Sequence, residues 1–413
     1  MLKKLRLERF KSIYEQEIEF GKVNLLVGAN GSGKSNLLEA LGVLAAALSS
    51  GLEPVTLDMK GVRLSLPHLF KSAFKNLDLP KTFRLEAQFE HGRYETSVRS
   101  SANSPTLEFA SEALYDGERQ VFGRSGHGIK IHNYSTDLPP IAKDSVPTNR
   151  SLWSVFEPII QVSSGLREEL TEFAKFAIYA PQTAVMRGIA LDQRVVEPLG
   201  LTGSGLATAF ASITNMRPDL LNKLIKVVWE PGWANQIRTG IFESSIVPSQ
   251  VRAEGTLLYI RDRFMRAGRN YLSAFDASEG TLYLIFVATL LAHPGTPKIL
   301  ALDNVDGTLN PRLVRRLSKH VIDVVTDPSA DTKRQAFMTS HHPSSLDSFD
   351  IFDEDQRIFV CSRALLETGP APGQSKITQL RPPPDTTKDQ WKIDHGGRNL
   401  SELLLDERIP GAL

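Results

Sequence analysis

The 413-residue sequence holds a single cysteine, Cys361, so no disulfide can form within the chain, and a reducing compartment is expected. It has no charge of one sign to spare. Lys and Arg number 48 against 47 Asp and Glu, leaving +1, so any attraction for nucleic acid or an anionic surface must come from a local patch. It has no long apolar run either: Leu282–Ala292 is about half the length that a bilayer-spanning helix requires. The opening MLKKLRLERF carries charges every second or third residue where a secretory signal would be apolar. A membrane-embedded machine is thereby excluded, and a soluble cytoplasmic protein is expected. Internal repeats and sustained heptads are absent too. His293, His320 and His342 have no ligand-spaced Cys or His partners, so no zinc site is expected.

What is present is an ordinary globular composition, 41% apolar and 23% charged, in a chain long enough for two packed regions. Residues 2–10 and 15–20 alternate as short strands joined by Lys11–Tyr14. Val23–Val27 (VNLLV) is wholly apolar, the pattern of a buried parallel strand. It leads through a glycine-rich turn into a helix, Asn36–Leu48. Residues 80–135 alternate polar and apolar as an antiparallel meander, and 136–150 read as a connection. Helical patterns dominate 151–275, with a glycine-rich break at Leu199–Gly205. A second α/β section then follows: helix 281–292, strand Lys298–Leu302, helix 312–326, strand Gln335–Thr339 and a strand at 357–361. The stretch 367–388 reads as loop or linker, and a short helix lies near 399–405. The implied domains are 1–150 (first α/β lobe with the meander), 151–275 (mainly helical insertion), 276–366 (second α/β lobe) and 367–413 (linker and terminal helix).

Gly28-Ala29-Asn30-Gly31-Ser32-Gly33-Lys34-Ser35 matches G-x-x-x-x-G-K-[ST] in full, between a strand and a helix as the motif demands. Glycines let backbone N–H groups turn inward to phosphate oxygens with no Cβ in the way, and the helix that starts there adds its positive end. Lys34 is expected to neutralise β/γ-phosphate charge and the Ser35 hydroxyl to ligate Mg²⁺, with Asn36 opening the helix beside them. The expected ligand is Mg-ATP.

Three distal segments complete a pattern. Ile299–Asp303 is an apolar strand ending in a carboxylate, and such a strand end places Asp303 beside the loop as a second Mg²⁺ ligand. Phe337–His341 is another apolar strand with a polar end. Ser278 and Gly280 precede the apolar helix 282–292, whose exposed amides make a second anion-binding cap. Each is weak alone; order and spacing carry the reading.

On these residues the chain resembles an ABC-type ATPase head of the RecF/SMC group, and within it the stand-alone ATPases related to the OLD nucleases, which are often found in prokaryotic defence systems. The resemblance rests on LRLERFKSIYEQEIEF, VNLLVGANGSGKSNLLEAL, ASEGTLYLIF, ILALDNVDGTLNP and FMTSHHP. It covers 1–60 and 275–345 well and the middle only loosely, through LGLTGSGLATAF, where no Q-loop glutamine is placed. It implies an ABC-type head with a mixed core sheet, an antiparallel β lobe and a large mainly helical insertion. Two heads would sandwich two ATPs, Ser278 and Gly280 touching the γ-phosphate held by the partner and His341 sensing it.

The family usually has a glutamate directly after the Walker B aspartate. Here that position is Asn304, whose amide orients water but accepts no proton. Asp306 or His341 is assigned as a partial substitute, so secure ATP binding with slow hydrolysis is expected. OLD nucleases carry a Toprim domain after the ATPase, whereas the roughly seventy residues after His341 lack its acidic strand ends. The expected function is therefore a dimeric nucleotide switch acting on a separate effector, a nuclease or toxin, in defence or DNA processing. The alternatives are a RecF-like ATPase that clamps DNA and a nucleotide-binding scaffold without productive hydrolysis. Two basic runs, Arg312/Arg315/Arg316/Lys319 and Arg261/Arg263/Arg266/Arg269, read as solvated surface, with DNA contact the competing reading. Trp153, Trp229, Trp233 and Trp391 read as core or interface anchors.

Overall fold

Every residue of Val23–Val27 is buried. Their side chains alternate between two hydrophobic clusters, Leu26 on one side and Val23, Leu25 and Val27 on the other. A strand apolar on both faces must be covered on both, and the computed structural model shows what covers it. The structure describes residues 1–100, 106–133, 139, 141–192, 194, 196–216, 218, 232–249, 255–307, 309–329, 333–363 and 371–406.

The strands in chain order are β1 (Leu2–Phe10), β2 (Ile13–Glu19), β3 (Val23–Val27), β4 (Thr82–Phe89), β5 (Gly92–Arg99), β6 (Glu108–Asp116), β7 (Arg119–Ser125), β8 (Gly128–Ile131), β9 (Ala177–Tyr179), β10 (Ala234–Gly240), β11 (Leu257–Asp262), β12 (Tyr271–Ser273), β13 (Ile299–Leu302), β14 (Gln335–Ser340), β15 (Gln356–Arg363) and β16 (Ser375–Leu380). The core sheet runs β16-β15-β3-β14-β13-β9, parallel throughout except for β16 at its edge. Its strands share the alternation of β3: Ala301, Phe337 and Phe359 face one cluster, Leu302, Met338 and Val360 the other. Phe20 meets Phe337 and Phe359 edge-on at 5.0 and 5.8 Å between ring centroids, closing the first cluster.

The meander forms most of a seven-stranded antiparallel sheet, β2-β1-β4-β5-β6-β7-β8. Phe83, Leu85, Ala87 and Phe89 of β4 all turn inward at the strand's period of two. Helix Lys34–Ser49 joins the same cluster as that sheet and one face of the core sheet, and it is buried at nearly every position from Leu37 to Leu48. A helix apolar on all sides is stable only when enclosed. Its one buried acid, Glu39, pairs with Lys11 and with Arg63. Helices Leu206–Met216, Glu279–Ala292 and Pro311–Val325 cover the opposite face of the core sheet. The last is amphipathic, with Val314, Leu317, Val321 and Val325 inward and Arg312, Arg315 and Lys319 exposed.

The segment 151–275 holds helices Leu152–Phe156, Ser164–Ala174, Thr183–Met186 and Leu206–Met216, and it also holds β9 to β12, which helical patterning did not reveal. β9 adds to the core sheet beside β13, while β10-β11-β12 make a small antiparallel sheet. β9 is three buried residues, and β10 (ANQIRTG) is mostly polar, so neither carries a readable period. The stretch read as loop from 367 to 388 contains β16, paired antiparallel with β15. A further helix, Lys388–Asp394, precedes Leu400–Leu405. Trp229 lies outside the described residues; Trp153 is buried, and Trp391 stacks on His395 at 3.9 Å. No helix among the described residues is long and apolar enough to cross a membrane.

Candidate functional site

The glycine-rich loop leaves the end of β3 and enters the helix at Lys34. Gly28 and Gly33 adopt φ of 144° and 108°. A Cβ on Gly28 would stand 2.1 Å from the carbonyl oxygen of Cys361 in β15, and one on Gly33 2.3 Å from Ser375 Oγ in β16. Backbone conformation and close packing from beneath therefore both demand glycine. Burial pushes the Cys361 thiol up to about 12, which keeps it a neutral packing group under the loop. Ser32 Oγ is buried inside the cradle without a hydrogen-bond partner among the described residues. A buried hydroxyl left unpaired in a loop of inward-facing amides fits an anionic ligand.

Lys34 reaches back over the loop. Its Nζ donates to the carbonyls of Gly28 (2.6 Å) and Ala29 (3.0 Å) and lies 3.3 Å from Nδ1 of His341. Burial lowers its pKa, and the carboxylates of Asp303 and Asp306 oppose that shift. His341 and the loop lysine, 307 positions apart, thus touch directly.

Ser35 Oγ stands 3.3 and 3.5 Å from the two carboxylate oxygens of Asp303, which follows β13. Thr339, in the neighbouring strand β14, donates its hydroxyl to Asp303 Oδ1 at 2.5 Å and accepts from the Asn304 N–H at 2.7 Å. The hydroxyl and carboxylate oxygens of Ser35 and Asp303 are the hard donors that Mg²⁺ takes. Asn304 is exposed with φ of 60°, a conformation that asparagine enters more readily than most residues. Asp306 faces the other way: its Oδ2 accepts from Ser340 Oγ (3.0 Å), from the His341 N–H (2.7 Å) and from the His342 N–H. Asp306 Oδ1 is buried without a hydrogen-bond partner among the described residues. Its carboxylate is thereby committed to the backbone that presents His341.

Ser278 caps helix Glu279–Ala292, its Oγ accepting from the Thr281 N–H at 3.2 Å. Arg187 donates to the Ala277 carbonyl at 2.7 Å just ahead of it. No hydrogen bond joins Ser278 or Gly280 to the phosphate loop of the same chain among the described residues. The structure thus gathers Gly28–Ser35, Asp303, Asn304, Asp306 and His341 into one site and leaves Ser278 and Gly280 apart.

Three contributors escaped the sequence reading. Thr339 lies in the segment FMTSHHP, but its bridging role exists only across two strands. Tyr179 ends β9, pairs with Leu302, and its carbonyl accepts from the Asp303 N–H at 2.8 Å. Its strand is only three residues long, too short for a period to show. Arg63 pairs with Glu39 at 2.5 Å and reaches Asn36 Oδ1 at 3.3 Å, bringing a second cation to the loop's edge; Asn36 in turn donates to Ser12 at 2.6 Å. Nothing local marks it. The basic face of helix Pro311–Val325 makes no hydrogen bond with the phosphate loop among the described residues.

Residues 4–134 match a family model described as "AAA domain", and residues 234–347 one described as "AAA domain, putative AbiEii toxin, Type IV TA system". The DNA replication and repair protein RecF of Magnetococcus marinus is 53% identical over 49 residues, which is 12% of this chain and 13% of that protein. The chain therefore aligns with only a small part of that relative. Among solved structures, an SMC head bound to the C-terminal winged-helix domain of ScpA superposes with a TM-score of 0.54 at 15% identity, covering 92% of this chain and 98% of that one. An SMC head domain from Thermotoga maritima covers 92% and 99% at 15% identity, with a TM-score of 0.46. One family match takes in the phosphate loop and the other the Asp303–His341 segment, and the fold is that of an SMC head, so the chain is similar in both to ABC-type P-loop ATPase heads of the RecF/SMC type.

Proposed function

We propose that the protein binds Mg-ATP at Gly28–Ser35 and that ATP occupancy closes two copies head to head. In this reading it is a slow switch acting on a separate effector, a nuclease or toxin, in a cytoplasmic prokaryotic defence or DNA-processing system. The observation that carries the reading is the contrast within one site. Loop, Lys34, Ser35, Asp303 and Thr339 are all in bonding register, whereas the group following Asp303 is the amide of Asn304. The site is equipped to hold a nucleotide more than to hydrolyse it.

Each residue has a separate task. The loop amides bind phosphate oxygens, and Lys34 moves its ammonium from two carbonyls to the phosphates. Ser35 and Asp303 would hold Mg²⁺, which supplies charge neutralisation on the phosphates when bound. Thr339 fixes the Asp303 carboxylate. His341 touches Lys34 through its ring and Asp306 through its backbone, so a change at the phosphates reaches the turn that follows β13. Ser278 and Gly280, unused by their own loop, suit the nucleotide of a second copy. Without a general base, hydrolysis is slower by about 10²–10⁴-fold. The family description matched by residues 234–347 names a putative toxin of a type IV TA system, which supports a second gene product as partner.

The test is light scattering behind size exclusion, with and without Mg-ATP, on the protein alone and with the product of the adjacent gene. Dimer formation with ATP, lost in Ser278→Ala, is expected. A monomer at saturating ATP would refute the switch, and failure to co-elute would refute the adjacent product as effector. A second reading, a RecF-like clamp, is favoured by the 53% identical segment. It requires duplex affinity that ATP increases.

A further inference from the structure

Ser278 caps the helix Glu279–Ala292, and just over one turn in from that cap stands Tyr283. Tyr283 is 3% exposed, and its hydroxyl is buried without a hydrogen-bond partner among the described residues. A buried phenol usually finds a partner for its O–H, because an unpaired donor has lost its water and gained nothing in return. Asp306 Oδ1 is the complementary orphan, a buried acceptor without a donor among the described residues. The fold sets the two close together. Phe286, one turn further along the helix, holds its ring 6.1 Å from that of Tyr179, which ends β9 and whose carbonyl accepts from the Asp303 N–H at 2.8 Å. Positions three apart share a helix face, so Tyr283 lies on the face turned to β9 and β13. The chain leaves the helix at His293 and returns as β13, which lays the start of the helix beside the strand end that leads to Asp303 and Asp306. Electrostatics agrees: burial raises the pKa of the Tyr283 hydroxyl most, and the Asp306 carboxylate adds to it ahead of Asp303. The phenol therefore stays protonated, a donor beside a carboxylate.

We propose that Tyr283 is a positioning residue of the nucleotide site, the last member of a relay Lys34–His341–Asp306–Tyr283 that ends on the helix capped by Ser278. Two links of the relay are made in this structure: Lys34 Nζ lies 3.3 Å from His341 Nδ1, and the His341 N–H donates to Asp306 Oδ2 at 2.7 Å. The third forms when phosphates draw Lys34 from His341 and the turn that carries Asp306 shifts with the histidine. The Tyr283 O–H then donates to Asp306 Oδ1, and both orphans are satisfied at once. Occupancy of the phosphate loop is thereby passed to the start of the helix whose cap, Ser278, makes no bond to that loop among the described residues. The inference rests on the reading that Mg-ATP binds at Gly28–Ser35, and it adds the residue that carries the signal out of the site.

The test is amide hydrogen–deuterium exchange of the full chain, wild type against Tyr283→Phe, with and without Mg-ATP. Phenylalanine keeps the ring and drops only the hydroxyl. A hydrogen bond to a buried carboxylate shifts a local opening equilibrium by about 10–100-fold. In the wild type, Mg-ATP is expected to slow exchange at the amides of Tyr283–Phe286 by about that factor. Tyr283→Phe is expected to abolish this slowing, while Mg-ATP still protects the loop segment Gly28–Ser35. Without nucleotide the variant is expected to melt at or above the wild type, because the hydroxyl it lacks makes no bond there. Equal slowing in both proteins, or none in the wild type, with the loop protected, would overturn the inference and leave the nucleotide reading standing. A wild-type loop that Mg-ATP does not protect would sink both. A variant that melts well below the wild type without nucleotide would also overturn the inference, since the hydroxyl would then be a structural bond and not a link that nucleotide completes.

Discussion

Replacing Asn304 with glutamate sets two opposing effects against each other, and their sizes decide the outcome. Asn304 sits at φ 60°, where asparagine is well tolerated and glutamate is not. Forcing glutamate into the left-handed region costs about 1 kcal/mol of folding stability, which lowers the melting temperature of a chain this long by about 2 °C. The same change places a proton acceptor directly after Asp303, next to the Thr339 hydroxyl that holds the Asn304 N–H at 2.7 Å. A positioned general base is worth about 10²–10⁴-fold in rate, equivalent to roughly 3–5 kcal/mol of barrier. The chemical gain exceeds the conformational loss, so Asn304→Glu is expected to raise ATP turnover by about a hundredfold while melting slightly earlier. Phosphate release at saturating Mg-ATP gives the rate, and calorimetry gives the melting shift. Asn304→Gly, which relieves the φ restriction and supplies no base, should melt at or above the wild type with turnover no higher. The reasoning fails if wild-type turnover already lies within tenfold of the glutamate variant. It also fails if the glycine variant shows the same rate increase, because backbone mobility rather than a missing base would then limit the reaction.

Thr339→Val keeps the side-chain shape and removes the hydroxyl that bridges Asp303 and Asn304; Mg²⁺ affinity measured by titration should fall about 10–100-fold, with metal-free nucleotide binding unchanged. Asp306→Ala deprives Ser340, His341 and His342 of their shared acceptor and should destabilise the fold by about 1–3 kcal/mol. Its turnover should fall without loss of nucleotide affinity and with the pH profile unmoved; a lost acidic limb in a fully stable variant would instead make Asp306 a proton acceptor. Lys60 is held by burial at about 8, below its ordinary value, while its Nζ donates to the Ala174 carbonyl at 2.5 Å. The unfolded chain then binds more protons at this position between pH 8 and 10.5, so stability rises with pH across that window. Denaturant midpoints of the wild type should therefore gain on those of Lys60→Met between pH 8 and 10, and parallel curves would show that Lys60 is not desolvated.

The phosphate loop was legible because its chemistry is local: eight consecutive residues set their own dihedral angles, donors and charge. Asp303 and His341 were legible for a related reason, as each ends an apolar strand, and the ends of parallel strands gather at one edge of a sheet. Thr339 was not. Its function is to stand between Asp303 and Asn304, and that depends on β13 and β14 being neighbours although 32 residues separate the ends of one and the start of the other. Tyr179 was missed because β9 is only three residues long, too short for any period to show. Arg63 lies on the loop's edge solely because the residues after helix Lys34–Ser49 return past Glu39 and Asn36. β10 was hidden by its polar composition, β11 (LLYIRD) by an unbroken apolar run that shows no alternation, and β12 by its length of three residues.

The sequence by itself determined that a nucleotide-type loop exists, that its strand is buried on both faces, and that an amide follows the carboxylate of Asp303. Those properties belong to single residues or to residues one turn apart, where covalent geometry leaves little freedom. Only the tertiary structure decided that β15 and β16 press on the loop from below and make Gly28 and Gly33 obligatory. It alone placed His341 against Lys34 and turned Asp306 toward the His341 backbone. Such contacts are set by strand order and by the helices that enclose the sheet, cooperative outcomes of packing the whole chain that no short stretch of it encodes.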